Sequence, residues 1–257
     1  GQHAAQFVAE NAGKKPFFLY VPFNAVHAPY QPPKDGTDAY PNLKGVRQQY
    51  AAMLTAVDDA IGEIANAVDN AGVRDNTQFK LSSDNGGPEP GRITDNGKFR
   101  GGKGGLYEGG VRIPAGATIT EPIHVVDMRP TIAKLCGVKP TGDLPLDGLD
   151  ASNTVASGGA SPHKTILLNA TPRTGAIRTG DWKLIVKREA KGKQKQQRRN
   201  GNASVELYDL RNDPYEKSNV ADANPEKVKE LRREYNKLSE HAVPPKSKPA
   251  PASFKAP

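Results

Sequence analysis

Three short segments of this 257-residue chain carry residue types whose spacing could do chemistry. Ser83-Asp84-Asn85-Gly86-Gly87 sets a carboxylate beside an amide oxygen, hard donors of the kind calcium takes, with glycines that let the backbone turn sharply behind them. The same run is also an ordinary turn. Arg100-Gly101-Gly102-Lys103-Gly104-Gly105 puts two cations in a loop of four glycines, where the backbone can approach an anion closely. A tetrahedral oxyanion is its natural guest. The loop lacks the Gly-x-x-x-x-Gly-Lys-Ser/Thr spacing of a nucleotide phosphate loop, and a merely flexible glycine loop is the alternative reading. Asn24-Ala25-Val26-His27-Ala28-Pro29 places a histidine, a proton donor or acceptor near neutral pH, just after an apolar run. A histidine at a strand end can equally be structural.

These segments need elements to position them. Gln2 to Asn11 reads as the end of a helix, and the continuous apolar run Pro16 to Val21 suits a strand buried on both faces. Gln48 to Ala71 repeats Met53, Val57, Ile61, Ile64 and Val68 at three- and four-residue spacing, with Gly72 as its stop, and predicts a helix. Thr77 to Ser82 reads as a second strand that opens directly into Asp84. Strand, helix and strand in this order predict a largely parallel sheet, with ligand sites beyond the carboxyl ends of its strands. The His27 and Asp84 loops should then be neighbours. From about Asp150 the composition shifts, and short runs at Thr165 to Leu168, Trp182 to Val186 and Val205 to Leu210 predict a small antiparallel unit. It should close with a helix capped by Asn224-Pro225, presenting Val228, Leu231, Tyr235 and Leu238 on one face. Residues 1–150, 151–243 and a loose Pro- and Lys-rich tail over 244–257 are the expected divisions.

Composition narrows the partners. With 36% apolar residues the chain can bury a core, but no run nears the roughly 18 to 20 apolar residues that span a bilayer. The single Cys136 excludes an internal disulfide framework and a cysteine zinc cluster. The net charge of +8 is concentrated at Lys187, Arg188, Lys191, Lys193, Lys195, Arg198 and Arg199, where only Glu189 opposes it. That stretch reads as a solvated loop, with an anionic polymer as the alternative partner, and the lack of interleaved aromatics argues against nucleic acid. The first residues show no apolar leader, so location is not legible there.

Taken together, the segments resemble the type I sulfatases. Phe17 to Tyr20 through His27-Ala28-Pro29, Tyr50 to Met53 through Asp58-Asp59, Ser83 to Gly87, and Phe99 to Lys103 through Tyr107-Glu108-Gly109-Gly110 follow the family's order and approximate spacing. The similarity continues through His124 to Asp127, Pro130-Thr131, Gly175 to Arg178, Gly180 to Leu184, Glu206 to Leu210 and Asn212-Asp213-Pro214. It implies an alkaline-phosphatase-like α/β/α sandwich with a mixed, mostly parallel sheet and a small C-terminal α+β unit. It also implies a hydrolase of sulfate esters, aryl or carbohydrate, in a secreted, periplasmic or lysosomal protein. By resemblance Asp84 and Asn85 bind calcium, His27 and Lys103 contact the sulfate and assist departure of the alcohol, and Arg100 helps to bind substrate.

The family's nucleophile is a formylglycine hydrate made from the first residue of Cys/Ser-x-Pro-x-Arg, and this motif is absent from the 257 residues. Cys136 lacks the proline and arginine, and Ser247 is followed by proline where arginine is required. Asp58-Asp59 is not the family's acidic metal pair but helix surface, because adjacent helical side chains diverge by about 100°. Two departures stand out: Ala115-Gly116 follows Pro114 where a further strand is expected, and Lys80 interrupts the strand before Asp84. The chain is therefore expected to be an inactive fragment of such an enzyme. A phosphatase or phosphonate hydrolase of the same superfamily, or a non-catalytic anion-binding remnant, is the alternative.

Overall fold

The computed structural model describes residues 1–112, 121–139, 142, 145–171, 174–187 and 205–240, without side chains at 169–171. The basic run 188–199, the departure after Pro114, Ser247 and the tail 244–257 lie outside the described residues.

Two helices open the chain, α1 (Gln2–Asn11) and α2 (Gly45–Asn70). The α2 periodicity works as its spacing predicts: Met53, Ile64 and Val68 are buried, and Val8 of α1 packs against Ile64 and Val68. Asp58 and Asp59 are both exposed. Past Ala71, Gly72 takes φ +67, so that its N–H reaches Asp69 O at 2.9 Å while Val73 N–H reaches Val68 O at 3.3 Å. This left-handed cap satisfies the carbonyls that the last turn leaves open.

The two expected N-terminal strands form no ladder with another strand among the described residues. A β-strand is completed by its ladder partners, and here only one face of 17–24 is covered. Phe17, Leu19, Val21 and Phe23 lie against α1 and α2, whereas Phe18 and Tyr20 are 59% and 75% exposed. The uninterrupted apolar run thus hides a two-residue alternation. Lys80, in the second of these segments, is exposed.

Short helices α3 (Glu108–Val111), α4 (Met128–Leu135) and α5 (Ser152–Ser157) precede a four-stranded antiparallel sheet. Its strands are β1 (Thr165–Thr171), β2 (Thr174–Thr179), β3 (Trp182–Val186) and β4 (Val205–Asp209), in that spatial order. β2 carries no strong period-2 signal and escapes sequence reading. α6 (Pro225–Ser239) begins with Asn224 as cap and Pro225 in its first turn. Val228, Leu231 and Tyr235 dock on the face formed by Ile177, Leu184, Val186 and Leu207. Leu238 departs from expectation at 42% exposure, and Ser239 is buried instead. The helix beds down along its i, i+4 row, 231, 235 and 239, which leaves Leu238 at the flank.

The other face of the sheet settles the position of the candidate site. Ala176, Ile185 and Tyr208 pack there against Leu106 and Tyr107, the residues that follow the glycine loop.

Candidate functional site

Main-chain hydrogen bonds zip two of the candidate loops together. Lys103 N donates to Gly87 O at 3.1 Å and Gly86 N to Gly110 O at 3.0 Å. Asn96 rivets the join: its Oδ1 accepts from Gly87 N at 3.0 Å, and its Nδ2 donates to Gly101 O at 3.0 Å and Gly87 O at 3.3 Å. So close an approach excludes side chains. A Cβ on Gly102 would lie 2.6 Å from Gly87 O, one on Gly110 2.5 Å from Gly102 O, and one on Gly86 would collide with Gly109 O.

On this base, Asp84 and Lys103 are exposed and Asn85 is half-buried. Asn85 Nδ2 donates to Gly86 O at 3.0 Å, and its oxygen accepts no hydrogen bond among the described residues. Among the described residues no donor reaches the Asp84 carboxylate. Asp84 and Asn85 therefore fit calcium in donor type, although they are too few for its six to eight oxygens. His27 is exposed, and its Nδ1 lies 2.8 Å from Ala28 O, which leaves Nε2 as the free ring nitrogen. Among the described residues no hydrogen bond, ion pair or ring contact joins His27 to either loop. The structure brings together Asp84, Asn85, Arg100 and Lys103, and leaves His27 apart from that contact network.

Arg100 is held from within the protein. Its Nη1 donates to Tyr208 Oη at 2.9 Å and Glu216 O at 3.1 Å, and its guanidinium lies 3.9 Å from the centre of the Tyr107 ring. Tyr107 and Tyr208 donate in turn to Glu206, which also pairs with Lys187 at 2.5 Å. Burial pushes the Glu206 carboxyl up, but hydrogen bonds from Lys187, Tyr107 and Tyr208 more than reverse it and hold it below its usual value. Burial and the neighbouring Glu206 charge raise the Tyr208 hydroxyl well above its ordinary range.

Beneath this lies an ion cluster that residue types alone do not reveal. Lys183 Nζ sits 2.8 Å from Glu108 Oε1 and 2.9 Å from Glu216 Oε1, and Glu216 Oε2 accepts the Glu108 N–H at 2.6 Å. Lys183 and Glu216 are completely buried and Glu108 nearly so. One lysine faces two carboxylates, and burial raises the Glu216 carboxyl against the opposing pull of Lys183. A signal existed in the sequence: Lys183 shares one side of β3 with the apolar Ile185, so a lysine on that side meets a covered face. Asn96 left no such trace, because it binds main chain.

Comparison with known proteins decides the family. The Sulfatase family model matches residues 2–138, over half of the chain. This chain belongs to the sulfatase family. The sulfatase is 30% identical over 290 residues to Arylsulfatase J of Mus musculus, covering 95% of the chain and 48% of that protein. It is 32% identical over 173 residues to N-acetylgalactosamine-6-sulfatase of Rattus norvegicus, covering 61% of the chain and 32% of that protein. Among solved structures it is similar to Ps i-CgsB in complex with k-i-k-neocarrahexaose, at 30% identity and TM-score 0.75, over 93% of this chain and 53% of that one. This likeness gives the sulfatase an alkaline-phosphatase-like fold class. The chain spans about half the length of Arylsulfatase J and of Ps i-CgsB.

Proposed function

We propose that this chain supplies the sulfate-handling side of a sulfatase site that cleaves sulfate esters of carbohydrates. The zipping of Asp84–Gly87 to Arg100–Gly105 through Lys103 N and Asn96 carries the reading, because it joins a loop with metal-type oxygens to a loop whose Lys103 side chain has no ion-pair partner among the described residues. The relatives' names, N-acetylgalactosamine-6-sulfatase and a complex with neocarrahexaose, support a carbohydrate substrate.

Sulfuryl transfer spreads negative charge over the sulfate oxygens and builds it on the departing alcohol oxygen. Lys103 answers the first need, and a proton given from His27 Nε2 to the alcohol oxygen answers the second, as sulfur exchanges its bond to that oxygen for a bond to the nucleophile that a complete site supplies. Asp84 and Asn85, with donors from elsewhere in a complete site, would hold calcium, and the ion would supply further positive charge for the sulfate. The family's formylglycine motif is absent from this sequence, so the chain alone binds sulfate without turning it over. The resemblance supports a secreted or periplasmic location, and among the described residues no helix is long and apolar enough to cross a membrane.

The test is hydrolysis of an aryl sulfate and of the matching aryl phosphate, with calcium, by the chain alone and within a polypeptide that carries Cys/Ser-x-Pro-x-Arg upstream. Sulfate cleavage by the longer protein only, lost in Lys103→Ala, is the expected result. Preference for phosphate would instead assign the site to phosphoryl transfer.

A further inference from the structure

Glu216 lies 113 residues beyond Lys103 in sequence, yet its side chain and its main-chain carbonyl both lead back to the loop that carries Lys103. Its carboxylate accepts the Glu108 N–H and faces Lys183, and its main-chain carbonyl accepts from Arg100. The backbone there adopts φ +55, a left-handed conformation rare outside glycine, with side chain and carbonyl both engaged in holding it.

Three consecutive residues transmit the restraint. Glu108 is fixed by Lys183 and Glu216, Gly109 N–H donates to Arg100 O at 2.8 Å, and Gly110 O accepts from Gly86 N at 3.0 Å. The turn at α3 is thus tied at one end to the C-terminal sheet and at the other to both site loops. Because Gly109 and Gly110 have no side chains to flex, displacement of Glu108 must move main chain that touches Arg100 and Gly86.

We infer that Glu216 and Lys183 are positioning residues for the sulfate site, acting through Glu108 and Arg100 to set where the Lys103 loop stands. This rests on the reading of that loop as sulfate-binding. The C-terminal sheet is then part of the site's machinery.

The test titrates inorganic sulfate into the full chain and follows the amide resonances of Gly101, Gly102 and Gly104, with hydrogen exchange measured across the chain. Glu216→Gln keeps the size and one acceptor but removes the charge facing Lys183. It is expected to weaken sulfate binding about tenfold, since small misplacements cost that much or more, and to speed exchange over 99–110 while α1 and α2 stay unchanged. Tyr208→Phe removes one Arg100 partner outside the buried cluster and is expected to give a smaller loss of the same kind. If Glu216→Gln does not fold, this second variant decides. Sulfate affinity and loop exchange that stay at parent values in folded variants would overturn the proposal and leave these residues as mere scaffold. If the parent itself binds no sulfate, or binds it equally after Lys103→Ala, the proposed function fails, and exchange over 99–110 still reports whether the coupling exists.

Discussion

Lys183 Nζ and Glu108 Oε1 meet at 2.8 Å across 75 positions of sequence, in a place that water does not reach. Burying charge costs free energy unless partners replace its hydration, and removing a single partner exposes the whole of that cost. Lys183→Met leaves two carboxylates buried together, and the expected loss is about 3 to 5 kcal/mol. Urea unfolding measures it, and a loss well under 1 kcal/mol would show that water enters the cluster.

Glycines differ sharply in what they tolerate. Gly109→Ala drives a methyl group to 2.5 Å from Arg100 O and 2.9 Å from Phe99 O, so the loops must part, and the expected cost exceeds about 2 kcal/mol. Gly62→Ala, in the middle of α2 with nothing within 4 Å, should stabilise by up to about 1 kcal/mol through helix propensity. Thermal melts of the pair read the opposite signs.

The hydrogen bonds onto Glu206 make stability depend on pH in a set direction. Its folded-state value is lowered, so its contribution is present above the ordinary carboxylate range and is lost as pH falls through the lowered value. Glu206→Gln should therefore be less stable than the parent at neutral pH and converge with it in acid. Denaturation midpoints between about pH 2 and 7 test this, because that span brackets the carboxylate range.

Asp84 has no hydrogen-bond donor among the described residues, so Asp84→Asn should change stability by less than about 0.5 kcal/mol. The same substitution should abolish any rise in melting temperature that calcium gives the parent, since a ligand bound only to the folded state stabilises by mass action. A calcium response that survives in Asp84→Asn removes this residue from the metal site.

Asp127 accepts from His124 N at 2.7 Å and Leu149 N at 2.9 Å, and it pairs with His163 Nε2 at 2.7 Å, all while fully buried. Asp127→Asn turns an acceptor toward a donor and should cost about 2 kcal/mol or more. Loss of protection at the Leu149 amide in hydrogen exchange would locate the damage.

Sequence legibility followed the physics of each element. The α2 stripe and its Gly72 stop were plain because a 3.6-residue period and a left-handed cap are local properties. The site loops were legible as residue types, Asp84 beside Asn85 and Lys103 among glycines, because chemistry is local too. What joins them was not: Asn96 binds carbonyls that every residue has, and Glu108 and Glu216 look like surface acids until Lys183 is placed between them. The run at 16–21 was apolar throughout, so its pattern could not show that Phe17 and Leu19 face α1 and α2 while Phe18 and Tyr20 do not.

The interleaved glycines 86, 102, 109 and 110 have a further consequence. A surface built from side chains can be retuned by exchanging one residue for another, gaining or losing a methyl group at a time. This one is built from peptide planes touching peptide planes, so it offers no graded substitutions: a replacement either breaks it or does not enter. Variation at this face must then come from residues that overhang the base, while the spacing between the Asp84–Gly87 and Arg100–Gly105 loops stays fixed.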